Sequence, residues 1–476
     1  MSFRLYTPAR VIEERGEGYF IAPHPEPRED IPGILDILLG ARHSLIGNWT
    51  VGNYLSGLDT HRILGRQVIF VNTAEHIKYV MVTRHANFER KSPQMRRALE
   101  VLLGDGLFIS EGETWKTRRP LVADIVHKNR VPAFGVTMEA VTHAFAEGWA
   151  ARAPGEEFEL TAAMAELTAE IIAQTVFGRN LGSEAAQQVI NGFTRYQKSI
   201  DNFNLGYFLG WDEGWPVFHG PDKRRSVKMV HSVVEKVITD HLAGAGDSGS
   251  MVDLLIKRQQ RNPELALDTT ALRNEAATIF MAGHETTATT LTWAFYCLAN
   301  APWAEAGILE ELDRVCPGRS PTIEDVNQLD WCRAVVLETL RLYPPVPLLP
   351  RQAREADMIG DVPVKKGDLV MIAPWLMHRA TDLWDKPTHF MPERFADGVK
   401  ANPFVFFPFA VGPRICPGMN FGQSEAVLCL AILVQKFKVR PRPGYVAEPV
   451  CRLTLRPDGG LPVTAEPRQK TRKAAA

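Results

Sequence analysis

Long apolar runs are missing from this 476-residue chain. The longest near its start, Ile31 to Ala41, is interrupted by Pro32 and Asp36 and is too short to cross a bilayer. The opening MSFRLYTPARVIEERGEGYF is charged and has no apolar signal-peptide core, so the expectation is a soluble cytoplasmic protein with no membrane span. An excess of either charge is missing too: 54 basic and 55 acidic residues give a net charge of -1, which removes any general pull toward nucleic acid or anionic lipid. The six cysteines, Cys297, Cys316, Cys332, Cys416, Cys429 and Cys451, form no C-x-x-C and no C-x-x-C-H. That excludes a cysteine-rich cluster or covalent haem attachment and favours a reducing compartment. No G-x-G-x-x-G follows a strand-like run, so no flavin or nicotinamide site of the chain's own is visible.

What is present centres on Phe404 to Gly422, FVFFPFAVGPRICPGMNFG. Glycines and prolines shape a tight loop around Cys416, and a helix-like run from Met419 through Ala431 follows it. A thiol at a helix N-terminus is favoured as thiolate, the form that ligates metals, and Pro417 suits the first helical position. A lone cysteine more often packs as a small apolar residue. The joint spacing of Phe409, Gly412, Arg414, Cys416 and Gly418 points away from that, because F-x-x-G-x-R-x-C-x-G resembles the haem-binding signature of the cytochrome P-450 family.

The resemblance implies haem b with Cys416 as axial thiolate, a ligand that pushes electron density onto the metal. It implies that Gly412 and Gly418 let backbone approach the porphyrin, that Phe409 shields the sulfur, and that Arg414 pairs a propionate. Trp115 and Arg119 lie four apart in GETWKTRRPLV and put an indole N–H and a guanidinium on one helical face. By the same resemblance they too contact a propionate, as does Arg351.

A long helix is expected from Ala271 to Ala301, weakened in its middle by Gly283 and the threonines after it. There Ala282-Gly283-His284-Glu285-Thr286-Thr287 is similar to the family's acid–alcohol motif, which makes Thr286 the hydroxyl and Glu285 the acid of a proton relay. His284-Glu285 also begins like H-E-x-x-H, but the residue required as histidine is Ala288 and no zinc pair exists. His284 then reads as structural. Glu338 and Arg341 form E-x-x-R ahead of a proline-rich turn, with Arg394 in a later PERF. The resemblance makes these three a buried structural network supporting the cysteine loop.

The implied fold is mainly α with a small β portion: an N-terminal segment over 1–54, one haem domain over 55–463 and a disordered tail over 464–476. Alternation around Arg62–Val71 predicts a hairpin turning at Gly65-Arg66, with a helix from Ala74 through Arg84. Helices are expected over Thr137–Ala151 and Leu160–Phe177, strand character over Val364–Pro374, and a hairpin turning at Asp458-Gly459. Asn202 to Lys223, aromatic and glycine-rich, reads as a cover over a pocket.

The activity implied is monooxygenation of an organic substrate with dioxygen. Met95, Leu107, Phe280, Met281, Ala282, Leu348, Leu349 and Leu453 are the candidate pocket residues, and their apolar character predicts an apolar substrate. Electrons must come from a separate chain, a ferredoxin or flavodoxin with its reductase. A basic face of Lys116, Arg118, Lys128, Arg130 and Arg333 is the expected dock, on a monomer. A peroxide-dependent peroxygenase and a non-catalytic haem-thiolate sensor are the alternatives. The Glu285-Thr286 pair argues against both, since neither needs a proton relay.

Overall fold

The computed structural model describes residues 19–29, 33, 40, 44–63, 66–178, 183–198, 220–246, 248–265, 267–398, 400–451 and 453–468. Gly65, most of Ile31–Leu39 and 202–219 of the expected cover Asn202–Lys223 lie outside these residues, and Pro221 to Lys223 begin a helix. The longer described helices are α1 (Pro93–Leu103), α2 (Gly112–Ile125), α3 (Val131–Ala150), α4 (Leu160–Phe177), α5 (Ser183–Lys198), α6 (Pro221–Leu242), α7 (Met251–Arg261), α8 (Thr269–Asn300), α9 (Pro302–Val315), α10 (Asp330–Leu342) and α11 (Met419–Lys436).

Helix α8 is the axis. Asp268 caps it by accepting the Ala271 N–H at 2.7 Å, so it starts two residues before the apolar periodicity does. Most of its side chains are buried, because helices pack around it and not along one stripe. Helix α4 is its closest neighbour. Long and apolar enough to cross a membrane by composition alone, it instead has two thirds of its length buried, 67%. Glu159 caps it through the N–H groups of Thr161 and Ala162, at 2.8 and 2.6 Å. Gly283 is where the two helices touch: a β-carbon there would stand 2.7 Å from Ile172 Cδ1. Thr168 Oγ1 donates to the His284 carbonyl at 2.8 Å beside it.

The β portion is small and peripheral. Strands β1 (Leu58–Ile63) and β2 (Arg66–Val71) pair antiparallel with Leu58 opposite Val71, a hairpin as expected, although Arg66 pairs with Ile63 in the strand and not in the turn. Strand β2 lies parallel to β8 (Leu369–Ile372), which pairs antiparallel with β5 (Leu349–Gln352), and β3 (Arg90–Lys91) closes the sheet. Val364–Pro374 therefore supplies one strand of this sheet, while Val362–Val364 forms β7 in a separate pair with β6 (Asp357–Ile359).

The C-terminal hairpin turns elsewhere than expected. Strand β11 (Leu455–Pro457) folds back on β10 (Pro449–Cys451), so the turn lies between them and not at Asp458-Gly459. Gly459 and Gly460, at φ +70° and +87°, turn a corner that sends β12 (Pro462–Pro467) into another sheet beside β9 (Phe437–Pro441) and β4 (Phe158–Glu159). Burial of Leu461 and Val463 there outweighs the local turn preference. The disordered tail expected from 464 also fails over its first residues. Thr464 to Pro467 pair with β9, and Arg468 reaches Glu305 at 2.7 Å.

One buried apolar cluster runs from Phe20, Ile21, Ala22, Ile46 and Trp49 to Val463. A second lies under the large sheet and takes in Phe407 and Val411 of the cysteine loop.

Candidate active site

Cys416 is the one cysteine of the six with accessible surface; the other five are buried. Its loop closes on itself, the Cys416 N–H donating to the Phe409 carbonyl at 2.8 Å and the Ile415 N–H to that of Gly412 at 3.0 Å. Gly412 has φ +79°, and a β-carbon there would meet the Met81 carbonyl at 2.3 Å. The neighbouring backbone of Tyr79–Thr83 therefore requires a glycine here. Gly418 is the N-cap of α11, which places Pro417 one residue outside the helix and not at its first position. Burial pushes the Cys416 thiol up from its ordinary value, and the Gly418 N–H and the Arg119 charge offset part of that rise. In the protein alone desolvation therefore outweighs the helix end.

Around the loop stands a set of cations short of partners. Arg119 has no hydrogen-bond partner among the described residues, and burial lowers its pKa while the nearby Cys416 raises it. Arg351, 4% exposed, bonds the Pro350 carbonyl at 3.1 Å, and burial followed by the charge of Arg414 pushes it down to about 10. Arg414 donates to the Ser110 carbonyl at 2.8 Å and to Glu89 at 3.1 Å, stacks 4.4 Å over the Trp115 ring, and keeps a buried Nε unbonded.

Three members of this cluster carry no motif. Lys91 bonds the Phe108 carbonyl and is held well below its ordinary pKa by burial, then by Arg351 and Arg414. His85 lies 5.7 Å from Trp115 with its Nε2 buried and unbonded. Glu89, which Arg414 holds low against the upward push of burial, is shared with Arg354 at 2.7 Å. Among the described residues, Glu89 and at longer range Glu111 are the acids that face the basic groups Lys91 and Arg414 of this cluster. The cluster fits a bound group carrying negative charges, as haem propionates do.

Helix α8 meets the helix that follows the cysteine loop: Thr287 Oγ1 donates to Glu425 of α11 at 3.2 Å, and a β-carbon on Gly422 would lie 3.9 Å from the same oxygen. Buried along nearly all its length, α8 becomes accessible at Ala282, Gly283 and Thr286, and it stays α-helical through them. Thr286 Oγ1 donates to the Ala282 carbonyl at 2.8 Å, which leaves its lone pairs free to accept. Glu285 is buried and held: Thr454 Oγ1 and both ends of the Arg456 guanidinium bond its Oε1, Arg456 Nε at 2.7 Å. His284 is buried and stacks on Phe280 at 5.8 Å, and burial lowers it to about 4.

Phe280 is a core residue, fully buried against Phe193 at 4.7 Å and Phe177 at 5.8 Å, so it does not line the accessible surface. Met95, Leu348 and Leu453 are partly buried against the main core and Leu349 against the second cluster; Leu107 and Met281 are buried.

Glu338 and Arg341 are both fully buried and pair at 2.7 Å, with Arg394 Nε 3.4 Å from Glu338. Arg341 also bonds the carbonyls of His378, Pro387 and His389, at 2.8, 2.7 and 2.9 Å. The His378 ring accepts the Phe407 N–H at 3.1 Å, which carries the network to the cysteine loop. The expected basic face is thinner than its sequence suggests. Arg118 is buried, Arg130 pairs Asp124 at 3.0 Å, Arg333 pairs Asp330 at 3.1 Å, and Lys116 pairs Glu113 at 2.6 Å.

A helical body with a partly accessible cysteine ahead of a long helix, an acid–alcohol pair and buried cations with few counter-charges has the parts that a haem-thiolate protein needs. The Cytochrome P450 family model matches residues 57–460, and the chain belongs to that family. Cyclooctatin synthase of Streptomyces melanosporofaciens is 28% identical over 444 residues, covering 90% of this chain and 94% of that protein. A cytokinin hydroxylase of Arabidopsis thaliana is 29% identical, covering 81% and 76%, and the carotene epsilon-monooxygenase of the same plant 28%, covering 76% and 71%. The protein is a haem-dependent monooxygenase that takes a substrate, dioxygen and electrons from a redox partner.

Proposed function

We propose that Cys416 holds haem b, that Trp115, Arg119, Arg351 and Arg414 bind its propionates, and that the substrate is an apolar small molecule. The observation that carries the reading is that the single accessible cysteine lies beside partnerless Arg119. When bound, the haem supplies the oxygen chemistry, one atom of dioxygen entering a C–H bond or a double bond and the other leaving as water. The chain's part is to seat the substrate, exclude water and move protons. Thr286 offers a hydrogen-bond acceptor on the open side of α8, and Glu285 passes it protons after letting go of Arg456.

Leu348, Leu349, Leu453, Met95, Met281 and Ala282 supply apolar contact. A relative named for carotene oxidation supports an apolar substrate. A separate acidic ferredoxin or flavodoxin, docking near Lys128 on a cytoplasmic monomer, completes the reading.

The test is the absorption of the carbon monoxide complex of the reduced protein, which reports thiolate ligation, in Cys416→Ser and in Cys429→Ser. Cys429 lies within α11, buried and 3.3 Å from Thr142 Oγ1, and burial pushes its thiol far up. Loss of the thiolate signature in Cys416→Ser and its retention in Cys429→Ser are expected. The reverse result would move the ligand into α11 and end the proposal.

A further inference from the structure

Arg118 sits between Trp115 and Arg119 on α2 and bonds a separate polar cluster. Its guanidinium grips Asp105 with both ends, Nη1 to Oδ1 at 2.9 Å and Nη2 to Oδ2 at 2.8 Å, and Nη1 also donates to the Asp105 carbonyl at 2.7 Å. On its other side Nη1 lies 3.2 Å from Oε1 of Glu275, a fully buried carboxylate on α8. The second oxygen of Glu275 accepts the Leu107 N–H at 3.2 Å. Asn274 adds a bond from Nδ2 to Asp105 Oδ1 at 2.9 Å. Two side chains on α8 and one on α2 thus hold a single loop, residues 104–111.

The loop is pressed against α8 as well as bonded to it. A β-carbon on Gly104, at φ +54°, would fall 2.1 Å from Asn274 Nδ2, and one on Gly106 would fall 2.2 Å from Thr278 Oγ1. The second half of the loop touches the site. Leu107 is a candidate pocket residue, and the carbonyls of Phe108 and Ser110 accept from Lys91 and Arg414 of the cation cluster.

We propose that Glu275, Arg118 and Asp105 form a clamp that sets how close the loop 104–111 stands to the substrate side of α8, and so the size of molecule admitted over the haem. None of the three touches substrate. They are positioning residues, acting through Leu107 and the loop backbone. Hydrogen bonding from two elements makes the loop position a property of α2 and α8 together, so that the helix carrying Trp115 and Arg119 and the helix carrying Thr286 agree on one pocket height. The inference rests on the haem-site reading given above for its effect on ligands, but not for its effect on the loop.

Two variants test it in the haem-loaded protein: Glu275→Gln, which keeps the shape and removes the charge, and Asp105→Asn, at a side chain 57% exposed. Hydrogen exchange of peptides covering 104–111 is read beside that of peptides from α10. Binding of imidazole and of 4-phenylimidazole to the ferric protein is read by absorption. The expected result is at least tenfold faster exchange confined to the loop, with the ratio of the two dissociation constants moved at least threefold in favour of the larger azole. Unchanged loop exchange in both variants would overturn the clamp. Equal changes for both azoles would overturn its part in size selection, because they would place the effect on the haem seat. Failure of imidazole to bind the unmodified protein would count against the haem-site reading, and the exchange result would still decide the clamp.

Discussion

Removing Glu338 should be among the most damaging single changes outside the haem site. The carboxylate, fully buried, accepts from Arg341 Nε and Nη2 at 2.7 Å each and from the Met391 N–H at 2.8 Å. Glu338→Ala leaves the Arg341 guanidinium in the interior with no neutralising charge and strands the Met391 donor. Arg341 cannot swing out to water, because it is bonded to three carbonyls and stacked 5.1 Å from the Trp384 ring. Breaking a buried pair from one side costs about 3–5 kcal/mol. Arg394→Ala is the control. Its Nε is 3.4 Å from the same carboxylate and its side chain keeps some contact with water, so about 1 kcal/mol is expected. Urea unfolding followed by tryptophan fluorescence, run on haem-free protein so that cofactor loss does not enter, gives both numbers. A cost for Glu338→Ala no larger than that for Arg394→Ala would refute the reasoning, since it would mean that the guanidinium finds water or another partner.

Gly412→Ala forces a side chain into a left-handed backbone and against the Met81 carbonyl 2.3 Å away, so a loss of about 2 kcal/mol or more and poor haem retention should appear in the purified protein. Normal haem content would show that the loop relaxes. Glu425 on α11, with one oxygen unbonded and the other 3.2 Å from Thr287, is raised by burial to about 8 from an ordinary 4.5. Stability from a carboxyl raised in this way is full below 4.5 and is lost as pH rises through 8. Glu425→Gln should therefore gain on the parent between those values, by at most ~5 kcal/mol, and level off above. A stability difference independent of pH would contradict it. Thr286→Ala should keep its fold and divert reductant from product to peroxide or water, seen as a lower ratio of product to reductant consumed; an unchanged ratio would remove Thr286 from the relay. Lys128→Glu should slow reduction by an acidic partner at low salt and much less at high salt; equal rates would place the dock elsewhere.

Residues close together in the chain carried most of what could be read without the structure. The loop around Cys416, the Glu338–Arg341 pair, the Leu160–Phe177 helix and the hairpin around Arg62–Val71 are all set by spacings of a few residues, and short-range sterics and periodicity act at that range. The Asp458-Gly459 turn misled because an ordinary turn signal serves a corner between two sheets as well as a hairpin. Phe280 misled because an apolar residue beside a motif looks the same whether its helix turns it toward a cavity or, as here, toward Phe193.

The amino-acid sequence by itself determined the family, the thiolate loop and the acid–alcohol pair, since each is a local pattern of residue types. Tertiary structure alone decided the company these residues keep. Lys91, His85 and Glu89 join Arg414 from more than three hundred residues away, Arg456 takes hold of Glu285 from the C-terminal hairpin, and Arg118 turns from a surface cation into the partner of Glu275. Burial is the physical reason. A charge removed from water must find its counter-charge among whatever the fold brings near, and no spacing along the chain records that choice.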